Sequence, residues 1–284
     1  MGLEGGVMAR RGTEPAYVHM GMKAKSELGA IISSNKKALR LLERLEGDEY
    51  IQGLLEMANI VVVGRLGYND HGLTHSRIVA RNAVRILGLL RDGGVVPNIV
   101  KERTGSYEDA ELVVMAAAYL HDLGNAIHRD VHYLHTLVLC EDFLDSALME
   151  LYGKERWRLA RLKAATLEAI YTHDEEVEAI SVEGGSVKIG DGTDMACGRA
   201  RVPFQRGKKD IHSISAMAIN DVRITKGEEK PVRIEVEMSC SAGVFQIQNV
   251  LGGKIRTSGI KQHFEVVGIV NAKDRDQIFE RIEL

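Results

Sequence analysis

The sequence predicts a mainly α-helical protein, a helical bundle followed by a small α+β domain of β-β-α-β order. Three observations carry this. Apolar residues recur at spacings of three, four and seven through most of the first part of the chain, the period of amphipathic helices. Only four prolines interrupt 284 residues, so long helices and few rigid linkers are expected. After Ile211 the period becomes two: Val232, Ile234, Val236 and Met238 alternate with Arg233, Glu235 and Glu237, as in a strand buried on one face.

Residues 1–16 lack the apolar stretch of a signal peptide, and Gly6 stands where an acylation signal has Ser or Thr. They are expected to form a disordered tail. Residues 17–64 read as N-terminal helices packing on the core, with Leu28, Ile32, Leu41, Leu42 and Leu45 on one side. Gly64 to Gly72, with Asn69-Asp70, reads as a loop. A helix follows over about Leu73–Leu90, which Thr74 or Asp70 could cap. Its Arg77, Arg81 and Arg85 lie four apart and read as a solvated face rather than a phosphate-binding stripe. Glu108–Leu123 is nearly all apolar after Leu112 and belongs at the centre of the domain. Further helices are expected near Val131–Tyr152 and Trp157–Thr172. A last one runs from Glu178 to Cys197, despite Gly184, Gly185, Gly190 and Gly192. The helical domain thus covers 65–205. The α+β domain covers 206–284, with Ser213–Ile224 as a strand, a helix near Val244–Leu251 and a strand near His263–Val270.

Bulk composition narrows the function classes. A hydrophobic content of 45% and a charged content of 27% are those of a soluble globular chain. A net charge of -3 and 5% aromatics argue against tracking a nucleic-acid backbone or stacking bases. No apolar run approaches the roughly 18 residues that span a bilayer. Cys140, Cys197 and Cys240 form neither a zinc-ribbon spacing nor a disulfide framework, so a cytoplasmic location is expected.

The chemistry lies in the histidines. Seven of the ten fall between His71 and His173, inside or beside helical patterns. His121 and Asp122 end the most apolar helix, where an imidazole and a carboxylate are costly unless paired or metal-bound. His128, His132 and His135 would share one helix face, and His173-Asp174 ends another helical run. Asp191 and Asp194 follow on a later amphipathic segment. Helices that each bring an inward His or Asp near one end are how a bundle builds a metal site. Such a ligand set suits several first-row divalent ions.

In this order the residues resemble the HD-domain phosphohydrolase superfamily, whose signature is H…HD…D. His75 in HSRIVARNA, His121 and Asp122 in YLHDLGN, and Asp191 in VKIGDGTDM carry the resemblance, which covers about residues 65–200. It implies an HD-type helical bundle with one or two divalent ions (Mn, Fe, Mg, Zn, Co or Ni) held by His75, His121, Asp122 and Asp191. It also implies cleavage of a phosphate ester or anhydride, of a nucleotide or small phosphorylated metabolite, by metal-activated water. Two-metal members carry extra histidines between the HD pair and the last Asp. His128, His132 and His173 are candidates for that role or for contacts to phosphate, with His135 in reserve. The catalytic candidates are Asp122, to orient water and take its proton, and His128 or His132, to protonate the leaving group. Where many members read HDxGK, this chain has Asn125 in place of the lysine. Compensating charge would come from histidines, a second metal, or arginines such as Arg77, Arg199 and Arg201. Of these, Arg199 and Arg201 are the candidate substrate clamp.

The segment DMACGRARVPF and the β-rich unit after it resemble an arrangement in uncharacterised archaeal and bacterial HD proteins. Three other readings compete: a regulatory or ligand-binding module with little catalysis, a nucleic-acid-processing hydrolase, and a di-iron oxygenase on the same scaffold. The partners implied are a small phosphorylated substrate and neither membrane nor nucleic acid, with self-association of the chain left open.

Overall fold

A computed structural model describes residues 15–195, 211–270 and 281–283. The described residues are mainly helical, with a four-stranded sheet towards the C-terminus. None of these helices is long and apolar enough to cross a membrane.

Helix α1 (Pro15–Ile31) opens on a proline, which suits a first helical turn because its missing N–H has no partner there. Most of the expected tail lies outside the described residues. Helix α2 (Lys36–Gly47) is capped by Asn35, whose side chain accepts from Ala38 N at 3.1 Å. Asp48 does the same for α3 (Glu49–Asn59), which runs on into a π-helical turn, Ile60–Arg65. Helix α4 (Leu73–Asp92) is buried over most of its circumference, which makes it the central strut. The arginine row on α4 is not a solvated face. Arg77 is buried and clasps Glu46 at 2.8 and 2.5 Å, while Arg81 reaches Glu27 at 2.8 Å. These pairs staple α4 to α1 and α2.

A short helix, α5 (Asn98–Lys101), leads to α6 (Tyr107–Leu120), which starts in a reciprocal capping box of Ser106 and Asp109. From Asp109 to Leu120 it is buried throughout, as its unbroken apolar run requires. The region expected as one helix near Val131–Tyr152 is two, α7 (His132–Leu139) and α8 (Glu141–Tyr152), parted at Cys140. Helix α9 (Arg156–Tyr171) follows.

The four glycines that weaken α10 (Val182–Gly192) are spent on close approach. A Cβ on Gly190 would lie 2.9 Å from both N and Cβ of Ala83, so the crossing with α4 requires its absence. The helix expected over Glu178–Cys197 is shorter at both ends: it starts at Val182 after the Ser181 cap and stops at Gly192, where Thr193 caps it, and only Ala196 and Cys197 lie outside the described residues.

The segment expected as a strand over Ser213–Ile224 divides into helix α11 (Ile211–Met217) and strand β1 (Ile219–Lys226). Strands β2 (Val232–Met238), β3 (Phe264–Val270) and β4 (Arg281–Glu283) complete the sheet in the order β1-β2-β3-β4. β1 pairs antiparallel with β2, β2 parallel with β3, and β3 antiparallel with β4. The parallel pair needs a crossover. A π-helical segment, Gln246–Leu251, and helix α12 (Gly252–Arg256) provide it.

Among the described residues two large apolar cores result, beside a small cluster of Tyr17, Ala24 and Ile78. One joins α1–α3 to α4, α6, α8, α9 and α10, so the N-terminal helices share the core rather than decorating it. The other places Val232, Ile234, Val236 and Met238 of β2 against Ile86 and Leu90 of α4 and Ile189 of α10. α4 and α10 therefore serve both cores, and this brings the crossover helix α12 close to the histidines.

Candidate metal centre

Five chain segments converge. His75 lies in the first turn of α4, His121 and Asp122 just after α6, and His132 at the start of α7. His173 lies just past α9, and Asp191 in the last turn of α10. His75, His121, Asp122, His132 and His173 are buried, and only 12% of the Asp191 side chain is exposed. Two overlapping sets offer ligand atoms within 4.8 Å of one another: His75, His121 and Asp191, and His121, Asp122 and His173.

Hydrogen bonds fix how each imidazole faces. The carbonyls at a helix C-terminus lack intrahelical partners. His121 Nδ1 donates to Ala118 O at 2.8 Å, and His173 Nδ1 to Ile170 O at 2.5 Å. His132 Nδ1 donates to Arg129 O at 3.1 Å, and His75 Nδ1 to the Asp194 carboxylate at 2.6 Å. Asp194 is itself held by Tyr17 Oη at 2.5 Å. With the proton assigned to Nδ1 by these partners, all four Nε2 atoms present lone pairs inward.

Those lone pairs face each other. His75 Nε2 is 3.2 Å from His121 Nε2, and His132 Nε2 is 3.0 Å from His173 Nε2. The Asp122 carboxylate lies between the two pairs. Its Oδ2 is 3.3 Å from Nε2 of both His75 and His121, and its Oδ1 is 3.3 Å from His132 Nε2. Asp191 Oδ1 adds to the first pair, 3.1 Å from His75 Nε2. Acceptors packed this closely repel unless a proton or cation sits among them. Among the described residues no group donates a hydrogen bond to the buried Asp122 Oδ2, a rare condition for a buried carboxylate oxygen. Imidazoles and carboxylates suit a borderline divalent ion, and each of the two ligand sets could hold one.

Electrostatics sharpens the arrangement. Burial opposes ionisation of Asp122, yet the field of the surrounding histidines, His121 first and then His71, holds its carboxyl well below the usual range. For Asp191, burial is likewise outweighed, by Lys254 first and then His75 and His121. Burial, then His121, His132 and Lys254, push His173 well down, so it stays neutral and able to ligate.

Sequence reasoning misplaces some residues. His128 is exposed, and its Nδ1 merely accepts from Asp130 N at 3.0 Å. The helix that was to align it with His132 starts only at His132, after Val131 turns the backbone left-handed at φ 51°. His128 therefore lies apart from the buried cluster and outside both ligand sets. His132 and His135 share α7 and both lie outside the two ligand sets, but His132 Nε2 reaches Asp122 Oδ1 at 3.3 Å and His173 Nε2 at 3.0 Å. Arg77 is committed to Glu46. Arg199 and Arg201 lie outside the described residues. Asp174 accepts from Glu176 N at 3.0 Å and belongs to a turn.

Sequence reasoning also misses one residue outright. Lys254, on α12 of the C-terminal unit, donates to Asp191 Oδ2 at 2.5 Å and to His173 O at 2.9 Å. It fills the outer side of Asp191 and leaves Oδ1 to the histidines. No periodicity marks it, and its only signal is a lysine between glycines and a basic turn.

Fold and site together define a mainly helical protein with a buried His/Asp cluster that could hold a metal ion. The chain is 43% identical over 244 residues to the uncharacterized protein MJ1020 of Methanocaldococcus jannaschii, a match that spans 86% of this chain and 93% of the relative. It belongs to the family of that protein. No family model matches the chain, and no solved structure matches it.

Proposed function

We propose that this chain is an HD-type metal-dependent phosphohydrolase that cleaves a phosphate ester or anhydride of a nucleotide or small phosphorylated metabolite. The single observation that supports it best is the Asp122 carboxylate, unpartnered at Oδ2 and set between two pairs of inward-facing imidazole nitrogens. His75, His121, Asp122 and Asp191 would hold one divalent ion, and Asp122, His132 and His173 a second. A bound divalent ion supplies Lewis acidity towards a phosphoryl oxygen and lowers the pKa of water.

The chain's own groups do the rest. The Nδ1 hydrogen bonds keep each ligating nitrogen deprotonated and aimed. Lys254 holds Asp191 by its outer oxygen. Asn125, which replaces the lysine of HDxGK, spends its amide on Asp122, donating to Oδ1 at 2.8 Å and to O at 3.1 Å. The missing cation is supplied by Arg129. Its Nη1 lies 3.3 Å from Asn125 Oδ1 and 3.4 Å from His132 Nε2, and its half-exposed side chain can meet an incoming phosphate.

The test is elemental analysis of the purified protein, followed by phosphate release from aryl phosphates and nucleotides with and without chelator. Metal-dependent release, lost together with bound metal in Asp122→Ala, is expected. Full turnover in that variant, or no release from any substrate by metal-replete protein, overturns the reading. The second outcome would favour the ligand-binding module.

A further inference from the structure

The crossover helix α12 has a second face. Residues 252, 255 and 256 lie three and four apart and share one side, while residue 254, two positions from 252, points the opposite way. On Lys254's side is the metal centre. On the other is a cavity of about 600 Å³ between α12 and the sheet. Its apolar floor comes from Phe264 and Val266, alternate residues on one face of β3, and from Ile255.

Three cations ring that floor: Lys230, Arg256 and Lys261. Among the described residues none of them forms an ion pair, and no carboxylate lines the cavity. Lys230 Nζ is anchored on Phe264 O at 2.7 Å, so its charge is fixed at the rim. The side-chain amides of Gln248 and Gln262 complete the lining with donors and acceptors. A small-molecule site is an apolar hollow of about 300–1,000 Å³ with a few convergent polar groups. Unpaired cations over an apolar floor select an anion with a flat ring, and the amides suit the polar edge of such a ring.

We propose that this cavity binds a purine nucleoside monophosphate or a close analogue, and that occupancy acts on the metal centre through α12 and Lys254. A ligand touching Gly252, Ile255 and Arg256 bears on the one turn of helix that positions Lys254 against Asp191 and His173. The binding half does not depend on the proposed phosphohydrolase. The coupling half rests on that metal site.

The experiment titrates AMP, GMP and inorganic phosphate into the full-length wild type, Asp122→Asn, Lys261→Glu and Arg256→Glu, with melting curves to confirm folding. AMP or GMP is expected to bind wild type and Asp122→Asn alike. Binding should fall about 10- to 100-fold in the two charge reversals, since a charge-assisted contact is lost and a repulsion added. A second arm titrates Co²⁺ with and without saturating nucleotide. Its affinity is expected to change at least about fivefold in wild type and not in Lys254→Met. Loss of nucleotide binding in Asp122→Asn would assign the ligand to the metal centre and overturn the proposal, as would unchanged binding in both charge reversals. Phosphate binding as tightly as AMP removes the ring from the recognition. Nucleotide binding without any effect on Co²⁺ overturns the coupling and leaves the cavity. Absence of Co²⁺ binding refutes the metal reading and the coupling together, while the first arm still decides the cavity.

Discussion

Replacing Asp122 by Asn tests the centre at its most shared atom pair. Asp122 Oδ2 serves His75 and His121, and Oδ1 serves His132. The amide keeps the shape but loses the charge, and its NH₂ can donate to an Nε2 pair. The metal-free variant should therefore fold at least as well as wild type. Metal loading is what should change. At free metal of about 100 times Kd, one bound ion adds about 2.7 kcal/mol. For a chain of this size that raises the Tm by about 5–11 °C. Loss of even an outer partner of a metal ligand weakens affinity about 10- to 100-fold. Losing the carboxylate itself costs at least as much, and at the same metal concentration leaves at most about 1.4 kcal/mol, or about 6 °C. Thermal melts of chelator-treated protein titrated with Zn²⁺ or Co²⁺, alongside metal content by mass spectrometry, read this directly. An Asp122→Asn protein with the wild-type metal-induced shift and metal content would refute the reasoning.

Further outcomes follow from the same geometry. In Gly124→Ala the new Cβ would sit 1.9 Å from His132 O and 2.6 Å from Thr136 N. Backbone must move, so urea melts should show about 1–3 kcal/mol lost or more, with the His132–His173 half losing metal first. Asp194→Asn leaves His75 without its carboxylate partner at Nδ1. Metal affinity should drop about 10- to 100-fold by competition titration, and unchanged affinity would show that His75 does not ligate. Asp109 concerns acid stability. Burial opposes its charge, but hydrogen bonds from Tyr152, Ser106 N and Arg158 hold the carboxyl below its ordinary 3.8. A lowered folded value stabilises above the unfolded one, so this contribution is present at neutral pH and lost as the pH falls below about 4. Asp109→Asn should lower stability at pH 7 and flatten the acid limb of a stability–pH curve.

What the sequence discloses and what it hides divide along physical lines. Helices α4, α6 and α9 are legible because burial imposes a period on many residues at once. His121-Asp122 stands out because polar groups at the end of an apolar run demand a partner. His128 misleads because its spacing from His132 matters only inside one helix, and the start of α7 depends on a single left-handed residue. Arg77 misleads because a four-residue spacing says nothing of what faces it, here Glu46 from another helix. Lys254 is hidden because its contact depends on how the sheet's crossover docks on α10, a tertiary fact with no local trace. The glycines of α10 are ambiguous for the same reason: they read as helix-weakening until Ala83 is seen against Gly190.

The imidazole partners also set a timetable. His121, His132 and His173 each lean on a carbonyl three residues upstream, so their aim is decided by the turn that carries them. His75 leans on Asp194, 119 positions away, and shares its space with Asp191, which Lys254 holds from still further on. A growing chain thus owns every side chain of the His132–His173 half once residue 173 has emerged, whereas the His75 half waits until the crossover of the sheet has been made. The first half draws its ligands from nearby sequence, whereas the second, like the bond from Lys254 to His173 O, needs the C-terminal unit in place.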